Sequence, residues 1–171
     1  QINIGKLSAR VAIIQEPLSP TGLAYALRRH RENPWTLGLF VKNKMINSLT
    51  AGLMSFLIDG SRTLLIAGTR SSGKTSLLGS LMLEIMPRYR IIVIEDTLEL
   101  PVDSMRELKY NILRMKVRSA LLKTSTEVEA AEGIRTSLRL GDSSLIVGEV
   151  RSSEAQALYE AMRVGALANV V

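Results

Sequence analysis

The stretch Gly68-Thr69-Arg70-Ser71-Ser72-Gly73-Lys74-Thr75 constrains this chain more than any other. It has the spacing G-x-x-x-x-G-K-[ST], with the apolar run Thr63-Leu64-Leu65-Ile66-Ala67 before it and Ser76-Leu77-Leu78-Gly79-Ser80-Leu81-Met82 after it. The pattern predicts a buried strand, then a glycine-rich turn whose backbone N–H groups surround phosphate, then a helix whose positive dipole end points at the same anion. Gly68 and Gly73 are expected to supply positive φ and close approach of backbone to oxygen. The Lys74 ammonium is expected to reach the terminal phosphates, and the Thr75 hydroxyl to bind Mg2+. Thr69, Arg70, Ser71, Ser72 and Ser76 complete the candidate contact set. A chance Gly-Lys-Thr in a plain strand-loop-helix is the competing reading, and the apolar patterns on both sides weigh against it.

With 171 residues, 46% of them apolar, the chain is long enough to bury a substantial core in an α/β layer protein. It has no cysteine, which excludes disulfides and thiolate metal sites and fits a reducing compartment. Apolar runs such as 64–67 and 91–94 are far short of the roughly 20 residues that a bilayer span needs. The N-terminus lacks a signal peptide's apolar segment, so a cytoplasmic protein is expected. The formal charge of +6 leaves a nucleic acid or anionic membrane open as partner, but with 4% aromatics there is little to stack on bases, and nucleic acid is disfavoured. The basic cluster Arg28-Arg29-His30-Arg31 is expected to face solvent, a nucleotide or a neighbouring subunit.

Ahead of the loop, Arg10-Val11-Ala12-Ile13-Ile14 reads as a strand, broken by Pro17, Pro20 and Gly22. Leu23-Ala24-Tyr25-Ala26-Leu27 is a strand or the opening of a helix, with strand preferred, and residues 28–34 read as a linker. Trp35 reads as a packing anchor. One helix is expected from an N-cap at Thr36 through Leu37, Phe40, Val41 and Met45 to Asn47. A second is expected from Ser48, burying Leu49, Leu53, Phe56 and Leu57 and ending at Asp59-Gly60. After the loop, its helix closes before Pro87, and Ile91-Ile92-Val93-Ile94 has the continuous apolar character of a strand buried on both faces. Residues 97–106 show no clear period, and 108–117 read as a strand or hairpin. Thr126-Glu127-Val128-Glu129 looks like a capping box opening a helix through Ile134, Leu138 and Leu140 to Gly141. A third core strand, Ser144-Leu145-Ile146-Val147-Gly148, precedes a helix capped by Ser152 and carrying Ala155, Leu158, Tyr159 and Met162. Strands alternating with helices argue for a doubly wound, mostly parallel sheet with the glycine-rich loop at a strand's carboxyl end.

That topology would bring two acidic clusters near the loop. Glu95-Asp96 ends one core strand, with Glu99 close behind, and Glu149 ends another. Nucleotide hydrolysis requires Mg2+ to neutralise developing charge, and a carboxylate to orient the attacking water. Arg139 and Arg151 flank the second strand, where an arginine of an oligomer can stabilise transferred phosphate in a neighbouring subunit, or simply form a surface ion pair.

Together these motifs resemble the secretion and traffic ATPases of type II secretion, type IV pilus and archaeal flagellum systems, P-loop NTPases of RecA-like fold. Residues 68–75 look like the family's Walker A, and Ile94-Glu95-Asp96-Thr97-Leu98-Glu99-Leu100 is similar to its aspartate box. Leu145-Ile146-Val147-Gly148-Glu149-Val150-Arg151 is similar to its Walker B, and Ala161-Met162-Arg163-Val164-Gly165-Ala166-Leu167-Ala168-Asn169 to the segment leading towards its histidine box. Pro17 to Gly22 and Pro34-Trp35-Thr36-Leu37 look most like the archaeal members, whereas Arg70 and Ser72 stand where the family loop commonly has glycine.

The resemblance implies ATP and Mg2+ as cofactors, with Lys74 and Thr75 on phosphate and metal, and Glu149 polarising the water. It implies that Glu95, Asp96 and Glu99 support metal or catalysis; Arg139 and Arg151 stand as candidate catalytic residues on their place beside the second strand alone. It further implies a homohexamer working on a membrane platform protein, peripheral to the inner face of the cell membrane. On this reading residues 1–33 are strands and linker of a larger N-terminal domain. Residues 34–171 are then an ATPase core incomplete at its C-terminus, stopping before the histidine box. A nucleotide-binding module without turnover and a RecA-like DNA motor are the alternatives.

Overall fold

The computed structural model describes residues 2–4, 7–29, 33–117, 128–150, 154–163 and 168–170. The chain divides into two compact units, Gln1–Pro34 and Trp35–Val171.

The first unit is an antiparallel meander of β1 (Ile2–Ile4), β2 (Leu7–Ile14) and β3 (Ala24–Arg29), with β2 in the centre. Residues 23–27 are thus mostly strand. The ladder also takes in Arg28 and Arg29, which the sequence reading gave to a linker, because β2 offers them partners at Arg10 and Ala9. His30 and Arg31 of the basic cluster lie outside the described residues.

The second unit opens with α1 (Leu37–Lys42), capped by Thr36, whose Oγ1 accepts from the Leu39 N–H at 3.2 Å. Trp35 packs its ring on Phe40, 4.8 Å between centroids. The helix stops well short of Asn47, because Lys44 takes a left-handed φ of 55° and turns the chain, leaving Met45 exposed. Asn47 rather than Ser48 then caps α2 (Ser48–Asp59), its Oδ1 accepting from the Thr50 N–H at 2.7 Å.

The face expected to be buried on α2 is largely the exposed one: Leu49, Leu53 and Phe56 face out, while Ala51, Met54 and Ile58 pack inward. This helix is apolar on two sides, so its period alone admits either. Packing against α1 and α3 (Lys74–Met82) selects the side carrying the smaller Ala51.

Residues 63–67 depart from the expected buried strand. Among the described residues the run makes a single bridge, at Leu64, with no ladder. Leu64 and Ile66 pack on the core while Leu65 is 75% exposed, so the run is covered on one side only.

Beyond the loop, β4 (Ile91–Glu95) is buried along its whole length, as its unbroken apolar character predicts. The second half of 97–106, the stretch without a clear period, lies in the short helix α4 (Val102–Glu107); fewer than two turns are too short to display one. Then β5 (Ile112–Lys116) runs parallel to β4, a single strand and not a hairpin. Next come α5 (Ala130–Ser137) and a 3-10 turn (Leu138–Leu140), ended by Gly141 at φ 86°. Thr126 and Glu127 of the expected capping box lie outside the described residues, as does Ser152. The chain continues through β6 (Ser144–Val147), α6 (Glu154–Arg163) and β7 (Ala168–Val170). On α6 the buried face is Ala157, Leu158 and Ala161, while Tyr159 and Met162 are exposed, because small alanines let the helix approach the sheet.

The sheet order is β5-β4-β6-β7, every pair parallel, with helices on both faces. Odd-numbered residues of β4, Ile91 and Val93, pack with Leu78, Leu81 and Met82 of α3 and Val102 and Met105 of α4. Even-numbered Ile92 and Ile94 pack with Ile134 of α5 and Ala157, Leu158 and Ala161 of α6. This is the expected α/β architecture, and side-chain alternation along β4 decides which residues meet α3.

Gly133 shows how close α5 lies to the sheet: a Cβ there would sit 2.9 Å from Cγ1 of the buried Val117. Gly133→Ala gains roughly 1 kcal/mol in helix propensity but forces a stiff, buried β-branched side chain to shift, at a cost of about 2–3 kcal/mol. Net destabilisation of about 1–2 kcal/mol is expected in urea unfolding. A variant as stable as the parent would show that this contact is slack.

Candidate functional site

Loop 68–73 leaves the core edge and turns into α3 without any side-chain cap. Gly73, at φ 89°, stands at the N-cap, and Ser71 also adopts a left-handed φ of 63°. Successive residues in such conformations turn their N–H groups into one concavity, which suits an anion. The α3 N-terminus lies directly behind it, adding unpaired N–H groups and a positive dipole end.

Gly73 thus has the positive φ predicted for it, whereas Gly68 is absent from the left-handed set and is needed for space. A Cβ on Gly68 would lie 2.6 Å from Ser72 Oγ. Lys74 folds back over the loop, its Nζ donating to Gly68 O at 3.0 Å and Thr69 O at 2.7 Å. The ammonium is therefore held above the turn that carries the N–H groups. Thr69, Arg70, Ser71 and Ser72 are exposed; Thr75 and Ser76, in the first turn of α3, are half-buried. The donor set, all N–H, hydroxyl and ammonium, fits a polyphosphate, and the Thr75 hydroxyl is the part of it suited to Mg2+, which keeps several of its waters and takes few protein ligands.

The acidic residues divide by environment. Glu95 is the last residue of β4 and is 3% exposed, on the face that packs against α3. Its Oε1 accepts from the N–H groups of Glu99 and Leu100, both at 2.8 Å, and its Oε2 lies 3.4 Å from Arg114 Nε. Burial pushes the Glu95 carboxyl above the ordinary carboxylate range; the two backbone N–H groups and the Arg114 guanidinium oppose that shift. Asp96 and Glu99 are half-buried in the loop that follows, and Glu149 is exposed just past β6.

Parallel register sets Gly148 beside Glu95: its N–H donates to Ile94 O at 2.9 Å, and a Cβ on it would lie 3.3 Å from Glu95 Cγ. The two acid-bearing strand ends are therefore neighbours. On the other side, a Cβ on Gly79 of α3 would lie 3.2 Å from Pro101 Cδ, so the end of the acidic loop rests on the helix that the glycine-rich loop opens. Arg139 is exposed in the 3-10 turn, and Arg151 lies outside the described residues. No group of three or more His, Asp or Glu able to hold a metal forms among the described residues. Sequence reasoning missed Arg114; the available signal was a cation inside the short apolar strand Ile112–Lys116, next to a strand ending in acid.

Residues 1–170 match the family model described as Type II/IV secretion system protein. The chain belongs to that family. A putative conjugal transfer protein of Mycobacterium tuberculosis is 26% identical over 164 residues, 96% of this chain and 45% of that relative. The ATPase DotB of Legionella pneumophila superposes with a TM-score of 0.70 at 18% identity, over 99% of this chain and 44% of that one. The pilus retraction motor PilT with bound ADP gives 0.57 at 18%, over 96% of this chain and 47% of that one.

The chain thus spans about half the length of each of these proteins. The structural likenesses establish the fold, a RecA-like α/β core with a parallel sheet between helices. Among the described residues no helix is long and apolar enough to cross a membrane.

Proposed function

We propose that this chain is the ATP-binding and hydrolysing core of a motor subunit serving protein secretion or assembly of a type IV pilus-like fibre. The observation that carries this is the Lys74 ammonium held over a left-handed, uncapped turn at the N-terminus of α3, in a chain of the Type II/IV secretion system family. Backbone N–H groups of 69–74 and Lys74 hold the phosphates, with Arg70, Ser71, Ser72 and Ser76 around them. Thr75, assisted by Asp96 and Glu99, places Mg2+. When bound, the metal neutralises charge that develops on the phosphate oxygens.

Glu149, at the open end of β6, orients the attacking water. Glu95, enclosed at the end of β4, acts through the loop it holds. Arg139 and Arg151 reach the phosphate of a neighbouring subunit in a homohexamer. The N-terminal residues 1–33 belong to a further domain, 34–171 to the ATPase core, and the ring works at the cytoplasmic face of the membrane on a platform protein. The family match and the ADP held by PilT support ATP as the nucleotide.

The test is calorimetric titration of the chain with Mg2+-ATP, followed by phosphate release. Saturable binding and slow release are expected, both indifferent to duplex DNA. Binding absent at millimolar ATP would sink the proposal, and turnover stimulated by DNA in a salt-dependent way would make the chain a DNA motor instead.

A further inference from the structure

We propose that Arg114 is a positioning residue: it clamps the acidic loop 96–100 from the neighbouring strand, so that Asp96 and Glu99 keep a fixed place beside α3. Arg114 stands in the middle of β5, in register with Val93, and therefore on the face of the sheet that α3 covers. Its side chain is 16% exposed, and its nitrogens reach the end of β4, the end of loop 96–100 and the first turn of α4. Nη2 donates to Leu100 O at 2.9 Å, Nη1 to Asp103 Oδ2 at 2.9 Å, and Nε lies 3.4 Å from Glu95 Oε2. Glu95 takes the N–H groups of Glu99 and Leu100. Leu100 is consequently held through both its N–H and its C=O, and the next residue, Pro101, rests against Gly79 of α3.

The pair is a poor device for stability alone. Arg114 Nε and Glu95 Oε2 are both buried and neither makes a hydrogen bond, so two desolvated charges face each other at ion-pair distance without good geometry. Apolar side chains of similar volume usually serve a strand as well or better. What the arginine supplies that they cannot is a fork that ties the end of loop 96–100 to the elements on either side of it. Its purpose rests on the proposed ATP site; its geometry does not.

The experiment separates the two. Amide exchange of Glu99 and Leu100 is followed by NMR in the chain, in Arg114→Gln and in Arg114→Lys, with ADP affinity measured in Mg2+ and in EDTA. In Arg114→Gln, exchange at both amides is expected to rise about tenfold or more while amides of β6 keep their protection. Arg114→Lys, with the charge but not the fork, recovers only part of it. The gain in ADP affinity that Mg2+ confers should fall about fivefold or more in Arg114→Gln, with affinity in EDTA unchanged, since Lys74 and the loop are intact.

Exchange unchanged within about twofold would overturn the clamp. Faster exchange with an unaltered Mg2+ effect would reduce Arg114 to a structural residue. Should the chain itself bind no ADP, the ATP-site reading fails while the exchange data still decide the clamp. If Arg114→Gln does not fold, Asp103→Ala on the exposed start of α4 removes one anchor, and exchange at Glu99 and Leu100 should rise about two- to threefold; no rise overturns the proposal.

Discussion

Lys74→Ala is expected to lower Mg2+-ATP affinity at least about a hundredfold, a loss of roughly 2.7 kcal/mol of binding free energy. Two effects add. The ammonium is placed directly over the turn, where its Nζ spans Gly68 O and Thr69 O. Removing it deletes a charge-assisted contact to phosphate, and it also removes the tie that keeps the loop wound with Ser71 in a left-handed conformation. A loop free to unwind must be reordered on binding, which weakens affinity further. Thermal stability should barely move, because Lys74 contributes nothing to either core cluster. Calorimetry on both chains reads the difference; affinity within about threefold of the parent would mean that the phosphates lie elsewhere. Arg in its place is not expected to rescue, since a planar fork does not fit between two carbonyls spaced for an ammonium.

What the sequence made legible, and what it did not, follows from the range of the forces involved. The strands β4 and β6 were readable because a strand buried on both faces must be apolar throughout, a condition local to each strand. The turn at Gly73 was readable because few residue types tolerate its φ. The inward faces of α2 and α6 were not: both helices offer apolar residues on more than one side, and the choice is made by neighbours distant in sequence. On α2 the Leu49, Leu53 and Phe56 expected inside stand exposed, and on both helices alanine occupies a close contact.

The same limit applies to the acids. Sequence order put Glu95, Asp96 and Glu149 at strand ends, but not their burial. Only parallel register with β5 brings Arg114 across to Glu95, and only register with β6 sets Gly148 against its stem.

That difference in burial underlies the second large effect. Glu149→Gln is expected to cut ATP turnover about a thousandfold, within the usual range for losing a general base, while leaving ATP bound. A carboxylate that orients or deprotonates water must reach it. Glu149 is exposed at the end of β6, whereas both oxygens of Glu95 face backbone N–H groups and Arg114 inside the protein. The position of Glu149 is set by the residue before it: Gly148 hydrogen-bonds to Ile94 O and has no room for a Cβ beyond 3.3 Å from Glu95 Cγ. Glutamine keeps the shape and a hydrogen-bonding carbonyl but lacks the charge, so binding and folding should survive. Glu95→Gln is the comparator. Its carbonyl can still accept from the Glu99 and Leu100 N–H groups, and its loss of charge is felt by Arg114, so a smaller fall in turnover is expected, with less rigid placement of loop 96–100. Single-turnover phosphate release with pre-bound ATP separates chemistry from binding. If Glu95→Gln proved the deeper lesion and Glu149→Gln turned over normally, the base would belong to β4, and the buried carboxylate, not the exposed one, would have to open to water during the cycle.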